Sequence, residues 1–180
     1  MTPPNPIGES EGAGPQPVEP RPEIAGAVTG LSLKGRALRY LAAREHSRAE
    51  LMRKLGPHAP DTQALTALLD DLQAKDLLSE ERLAQSLTRV GAPRYGNARI
   101  KANLQAKGLS ADLISTAMDH LETSEQARAL AVWSKKFGTV AADPKERAKQ
   151  MRFLAARGFS SETVYRAVKG LSDDDMSGDC

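Results

Sequence analysis

The chain has 180 residues and a formal net charge of +2, and 40% of its residues are hydrophobic whereas only 4% are aromatic. Alanine and leucine supply most of the apolar content, which favours helices over sheets, and no apolar run approaches the roughly 18 residues that a membrane-spanning helix needs. The single cysteine, Cys180, cannot form an internal disulfide, and the N-terminus lacks the basic-then-apolar pattern of a signal peptide, so we expect a reducing, cytoplasmic environment.

Both ends of the chain are predicted to be disordered. Residues 1–30 contain seven prolines and too few apolar side chains to offset the entropy of ordering them. Residues 172–180 are interpreted as a short acidic tail. Because both tails are acidic, residues 31–171 carry a net charge of +9. A basic body of this kind indicates an acidic partner, either nucleic acid or an acidic protein surface, although ordinary solvated surface explains any single charge cluster about equally well.

The first predicted repeat spans residues 31–78 and contains three helices. Apolar residues at helical spacing indicate the first helix, beginning at Leu33. A second helix opens at Ser47, because the sequence Ser-Arg-Ala-Glu ending at Glu50 is a capping box. Leucines at i, i+3, i+4 and i+7 from Leu65 predict the third helix.

A second repeat, at residues 79–122, follows the same order. The apolar side of its first helix includes Val90, and glycine and proline residues follow that helix directly. Gly108 is typical of the positive-φ residue that ends a helix, and Ser110 is typical of the residue that caps the next one. The second repeat therefore predicts three further helices.

The third repeat, at residues 123–171, echoes the second at an offset of fifty residues: the segment 104–110 aligns with 154–160. Thr123 is predicted to begin a second capping box, and Asp143 with the proline after it predicts a further helix start. Repetition at this period implies stacked units that each contact mainly their neighbours. The predicted fold is all-α, with three tandem three-helix repeats that form an elongated, curved body.

No catalytic, metal or cofactor site is predicted. The three histidines, His46, His58 and His120, lie far apart at predicted loops or exposed turns and are interpreted as surface residues. The spacings typical of zinc ligands and phosphate-binding loops are missing from the sequence. Trp133 is expected to lie in the core rather than to stack on a nucleic-acid base. An enzyme with an unrecognised site is the least favoured hypothesis.

Basic side chains are the remaining candidates for function. The third repeat has ten lysines or arginines against four acidic residues, whereas five acidic residues leave the middle repeat with a net charge of only +1. Ten residues are predicted to bind the partner: Arg94, Tyr95, Arg99, Lys101, Lys107, Lys135, Lys136, Lys149, Arg152 and Arg157. Routine solubility is the competing interpretation, and it is stronger for the middle repeat.

The order of the motifs resembles the RecX family of RecA regulators. The resemblance rests on Glu81–Ala84, Pro93–Ile100 and Leu104–Leu109 in the middle repeat, on Phe153–Phe159 in the last, and more loosely on Ala37–Leu51 in the first. It covers about residues 31–171. The sequence departs from the pattern in two places: Gln150 stands at the position of an apolar residue, and a Gly-Pro pair replaces the Lys-Gly turn in the first repeat.

The resemblance implies a binding protein without enzymatic activity. Proteins of this family bind RecA, lie in the groove of its filament on single-stranded DNA, and limit ATP hydrolysis, strand exchange and co-protease activity. Arg99 and Lys107 match the family motif directly. The expected partner is therefore RecA or its filament, with direct DNA contact as an additional expectation, and we expect the protein to be a monomer. The alternative is a basic helical-repeat protein that binds nucleic acid independently of RecA.

Overall fold

The computed structural model describes residues 30–170, so the predicted tails lie outside the described residues apart from Gly30. Within that range the chain contains helices and no strands, which confirms the all-α prediction. The nine α-helices are α1 (Leu33–Ala43), α2 (Arg48–Leu55), α3 (Thr62–Ala74), α4 (Glu80–Gly91), α5 (Asn97–Ala106), α6 (Ala111–Asp119), α7 (Glu125–Lys136), α8 (Pro144–Ala155) and α9 (Ser161–Val168). A short 3₁₀ turn, Gly56–His58, follows α2.

Side-chain caps begin the helices where the sequence predicts them, with one shift. Ser47 and Glu50 form the complete capping box of α2, and Asp143 accepts the amide of Glu146 at the start of α8. Helix α7 is capped by Ser124 rather than Thr123, so that prediction was wrong by one residue. Two adjacent hydroxyl residues both satisfy the cap pattern, and the backbone geometry decides between them.

Each repeat has its own apolar core. The three clusters of buried side chains are centred on leucines of α2 and α3, on Ile100 and Leu104 in the middle repeat, and on Trp133 and Leu154 in the last. Each repeat therefore packs mainly within itself, and among the described residues no buried apolar cluster is shared between neighbouring repeats. The spacing predicts Val90 on the apolar side of α4, and this prediction is wrong, since Val90 is 61% exposed.

The polar departure at Gln150 has a specific partner in the core. Gln150 is buried, and its Oε1 accepts a hydrogen bond of 2.8 Å from the indole nitrogen of Trp133. Its amide nitrogen donates to the carbonyl oxygen of Thr139 at 3.2 Å. Since a buried indole N–H needs an acceptor, the glutamine satisfies a group that an apolar residue would leave unpaired.

Successive repeats meet at joints of the same kind, in which a backbone carbonyl oxygen of the next repeat accepts a hydrogen bond. In each case the start of the second helix of one repeat contacts the turn between the last two helices of the next. Ser47 donates its hydroxyl to the carbonyl oxygen of Lys107 at 2.6 Å, and the Gly96 amide donates to that of Arg157 at 3.0 Å. Gly108 and Gly158, which follow these carbonyls, both have positive φ, +79° and +80°.

A glutamate completes each joint. Glu80, the first residue of α4, accepts the Arg48 amide at 3.0 Å, and Glu125, the first residue of α7, accepts the Asn97 amide at 2.7 Å. Arg48 and Asn97 are themselves the first residues of α2 and α5. In the third repeat this position is Pro144, which has no amide hydrogen, so the same bond to a further unit cannot form.

One histidine differs from its predicted surface location. His46 is only 1% exposed, and its Nδ1 lies 2.9 Å from the carbonyl oxygen of Arg44. A carbonyl oxygen can only accept, so Nδ1 carries the proton and Nε2 accepts from Lys54 at 2.9 Å. Burial lowers the pKa of His46, and the nearby cations Arg44 and Lys54 act in the same direction.

Candidate partner-binding surface at the second joint

The joint between the second and third repeats is closed by two glycines. A methyl group on Gly96 would lie 2.2 Å from the carbonyl oxygen of Gly158, and one on Gly158 would lie 2.6 Å from the amide nitrogen of Arg99. Such distances exclude any side chain at either position without separating the repeats. The close approach places Arg99 of α5 beside the turn that contains Arg157, although the two residues are 58 positions apart in sequence.

Aromatic and basic side chains surround this contact. The Arg157 guanidinium carbon lies 3.6 Å from the ring centroid of Phe153, and its Nη1 donates to the Phe153 carbonyl oxygen at 3.1 Å. The Arg99 guanidinium carbon is 5.9 Å from the ring centroid of Tyr95. Arg94 is exposed in the loop that also contains Tyr95. We call Arg94, Tyr95, Arg99, Phe153 and Arg157 the joint surface. Four of its five members were predicted partner-binding residues.

A buried arginine supports the joint surface from behind. Arg128 of α7 donates from Nη1 to the carbonyl oxygen of Tyr95 at 3.0 Å and from Nη2 to the side-chain oxygen of Asn97. It is only 5% exposed, and burial lowers its pKa, an effect that the neighbouring Glu125 carboxylate partly opposes. Arg128 is one of the ten basic residues of the third repeat, and no local sequence signal distinguishes it from the exposed arginines.

Lys107 lies at the other joint and forms an ion pair within the protein. Its Nζ is 2.7 Å from Oε1 of Glu50, whose side chain is almost fully buried. Arg44 contacts the same carboxylate at 3.1 Å, and the Ser47 amide donates to it at 3.4 Å. Burial alone would raise the pKa of Glu50, but the hydrogen bonds from Arg44, Lys107 and Ser47 outweigh it and lower the pKa to about 2. Lys107 therefore stabilises the packing of the first repeat on the second.

The other five predicted residues are exposed, and none of the hydrogen bonds, ion pairs or ring contacts found in residues 30–170 joins them to the joint surface. Lys101 is exposed on α5, and Lys135 with Lys136 occupies the last turn of α7. Lys149 and Arg152 lie three residues apart on α8 and therefore share a face. The Lys149 ammonium is 3.4 Å from the Glu146 carboxylate, and because both are well exposed the pair adds little stability. These five cations offer a basic periphery.

Two further findings concern residues 30–170. Among them, no three histidine, cysteine, aspartate or glutamate side chains come close enough together to hold a metal ion. None of the helices in this range combines the length and the apolar character that crossing a bilayer requires.

Family models match the second and third repeats. A model described as the second three-helix domain of RecX matches residues 79–118, and one described as the third three-helix domain of RecX matches residues 123–168. A protein named regulatory protein RecX from Leptothrix cholodnii is 53% identical over 149 residues, which cover 83% of this chain and 94% of that protein. One of the same name from Ralstonia nicotianae is 50% identical over 147 residues, 80% of this chain and 92% of that protein.

Solved structures share the fold. The crystal structure of RecX from Lactobacillus salivarius superposes with a TM-score of 0.66 at 20% identity, covering 77% of this chain and 94% of that one. A crystal structure described as regulatory protein RecX gives a TM-score of 0.63 at 23% identity, over 77% of this chain and 71% of the other. At these identities the likeness concerns the arrangement of helices alone.

Proposed function

Because the chain belongs to the RecX family of regulatory proteins, we propose that it binds the RecA recombinase, as the filament on single-stranded DNA, and inhibits its ATP hydrolysis, strand exchange and co-protease activity. It acts by binding and performs no catalysis of its own. A cytoplasmic location belongs to the same proposal, since RecA works on chromosomal DNA. The regulatory family is shown by the relatives, whereas the RecA partner is the proposed part.

The joint surface is the observation that carries the proposal. Arg94, Tyr95 and Arg99 lie in the segment that resembles the family motif, and packing of the repeats adds Arg157 from a second motif segment. Arginine and tyrosine are the side chains most enriched where protein partners bind tightly. A rigid joint also fixes their spacing, so little side-chain and backbone entropy is lost when a partner docks.

ATP hydrolysis by RecA on single-stranded DNA, titrated with this protein at physiological salt, tests the function. We expect inhibition well below one protein per RecA, because one molecule that blocks filament growth affects many protomers. An unchanged rate at every ratio, with the protein folded by circular dichroism, would refute binding to the filament.

A pair of matched variants tests the surface. Arg94→Ala combined with Arg99→Ala removes two exposed cations of the joint surface, and we expect about a tenfold higher protein concentration for half-inhibition. Arg39→Ala combined with Arg53→Ala removes the same charge from exposed positions of the first repeat and is expected to leave inhibition unchanged. Equal effects of the two variants would show that net charge, and not the joint surface, governs binding.

The alternative, binding to nucleic acid without RecA, is favoured by the basic periphery on α5, α7 and α8. Contacts to phosphates release counterions, so affinity for single-stranded DNA would fall steeply between 50 and 200 mM salt, by about 10³-fold for six contacts. Inhibition of RecA that persists at a salt concentration where binding to bare DNA is lost would separate the two functions.

We also propose that the protein acts as a monomer. Sedimentation velocity at increasing protein concentration checks this, and a sedimentation coefficient that rises with concentration would contradict it.

A further inference from the structure

The two joints have different charges at equivalent positions. Glu50 is the third residue of α2, and Arg99 is the third residue of α5, the helix that begins at the second joint. Lys107 and Arg157 each precede the positive-φ glycine of the turn that such a helix contacts. The first joint therefore has an acidic and a basic residue at these positions, whereas the second has two arginines.

The first joint contains a carboxylate that the second joint lacks. At the first joint the Lys107 ammonium is 2.7 Å from the Glu50 carboxylate, and the Glu50 side chain is almost fully buried. Among the ion pairs of residues 30–170, none involves Arg99 or Arg157. The second joint thus keeps the cation of the first, adds another, and has no anion paired with either.

The acidic residue at the second joint has a different role. Glu125 accepts the amide of Asn97 at 2.7 Å and the hydroxyl of Thr163 at 3.4 Å. Its equivalent at the first joint, Glu80, also accepts the amide of a first helical residue. Glu125 therefore corresponds to Glu80 and does not replace Glu50.

Both arginines are accessible and have N–H groups left to donate. Arg99 is exposed and lies near the Tyr95 ring, and Arg157 is half-buried against the Phe153 ring. The one hydrogen bond of the Arg157 guanidinium goes from Nη1 to a carbonyl oxygen. A guanidinium that contacts a ring through its flat face still presents N–H groups at its edge, in the fork geometry that suits a carboxylate.

We propose that the second joint binds the carboxylate of an aspartate or glutamate side chain of a protein partner, in the role that Glu50 has within the first joint. Arg99 and Arg157 donate to the carboxylate oxygens. Their side chains start close together, because a methyl group on Gly158 would lie 2.7 Å from the Arg99 Cβ. The proposal rests on the proposed function, since it names the chemistry by which the joint surface recognises its partner.

A carboxylate fits this surface better than the phosphates of a nucleic acid. The group that fills the equivalent position at the first joint is itself a carboxylate. The joint surface combines arginines with the rings of Tyr95 and Phe153, a composition typical of contacts with proteins. Phosphate backbones are usually bound by several cations along a strand, and the middle repeat, which supplies Arg99, has a net charge of only +1.

The first test supplies the missing carboxylate from within the chain. We expect Arg99→Glu to pair with Arg157 and to melt about 3 °C above Arg99→Gln. A glutamate near a helix start is favourable in itself, so both variants are also made in an Arg157→Gln background. There the difference should fall to about 1 °C, because only the helix contribution remains. Equal differences in the two backgrounds would contradict the proposal.

The second test measures binding directly. The isotopically labelled full chain is titrated, and the Nε N–H signals of Arg99 and Arg157 are identified by their loss in Arg99→Gln and Arg157→Gln. The probes are a blocked tripeptide with a central glutamate, the same peptide with a central glutamine, and dimethyl phosphate, all at constant ionic strength. We expect both signals to shift saturably with the glutamate peptide, at about tenfold lower concentration than with the glutamine peptide, because a charged acceptor forms the stronger bonds.

Arg99→Glu should weaken binding of the glutamate peptide at the Arg157 signal at least about tenfold, because the internal carboxylate competes for the same N–H groups. Arg39→Glu makes the same change of net charge at an exposed position of α1 and should leave binding unchanged. Three results would overturn the proposal: saturation by dimethyl phosphate at lower concentration than by the glutamate peptide, no saturable shift with any probe, or equal weakening by Arg39→Glu. RecA is absent from both tests, so peptide binding together with a failed RecA inhibition assay would refute the RecA partner alone.

Discussion

Replacing Lys107 tests whether it binds a partner or holds the first two repeats together. Lys107→Met keeps the aliphatic stem and removes the ammonium group that lies 2.7 Å from the buried Glu50 carboxylate. Arg44 and the Ser47 amide remain, so the carboxylate loses one of three donors. We expect the variant to be less stable at pH 7, because Lys107, which the sequence analysis predicts to bind the partner, is half-buried against Glu50.

The magnitude follows from the pKa of Glu50. That pKa falls from 4.5 to about 2, so the hydrogen bonds, after the opposing effect of burial, contribute a net stability of about 3 kcal/mol. Lys107 is one of three donors and partly solvated, so its share is about 1–2 kcal/mol, or a melting temperature lower by about 3–8 °C. The folded-state pKa is lowered, so this stability is fully present above pH 4.5 and is lost as the pH falls towards 2.

Urea unfolding of wild type and Lys107→Met, measured from pH 7 to pH 3, is the assay. The difference in the free energy of unfolding should be constant above pH 5 and shrink below pH 4.5 as Glu50 is protonated in the unfolded state. Lys101→Met, at an exposed position of α5, is the control and should match wild type. A difference that does not change with pH, or an equal loss in the control, would refute the assignment of Lys107 to the ion pair.

Three further predictions concern buried groups. Because burial lowers the pKa of His46, the protein should lose stability as the pH falls below 6.5, and chemical denaturation of His46→Gln should show a weaker dependence in that range. Gly96→Ala should cost more than about 2 kcal/mol in urea unfolding by forcing the second joint apart, whereas Gly56→Ala, with nothing within 4 Å and a negative φ, should be neutral. Gln150→Ile should leave the only indole N–H buried and unpaired, costing about 1–3 kcal/mol and changing the emission of Trp133, the single tryptophan.

Local sequence determined the helices and their repetition. The capping box at Ser47 and the Asp-Pro start of α8 lie within four residues of the amides that they satisfy, so the pattern contains both partners of each interaction. Gly108 and Gly158 marked the turns because only a residue without a side chain readily adopts their positive φ. The resemblance to RecX, carried by the same motifs, is confirmed by the relatives and by the shared fold.

The second joint was not predicted, although the sequence contains its parts. A Ser-Glu pair begins both α4 and α7 in the sequence, but that Glu80 and Glu125 accept amides of the preceding repeat is known only from the structure. Gathering Arg99 and Arg157 required the contact between Gly96 and Gly158, which no single segment contains. The proposed partner-binding residues of the joint surface thus come from two motifs that only packing brings together.

Tertiary structure alone decided which charges are buried and paired. Lys107 and Lys101 look alike in sequence, yet one contacts a carboxylate 57 residues away and the other is exposed. Nothing in the local sequence distinguishes Arg128 from the exposed arginines, or His46 from an exposed loop histidine. Both are buried by segments that are distant in the chain. Helical periodicity depends on bonds within a few residues and can be read locally, whereas the environment of a charge depends on distant segments that only the packed repeats bring into contact.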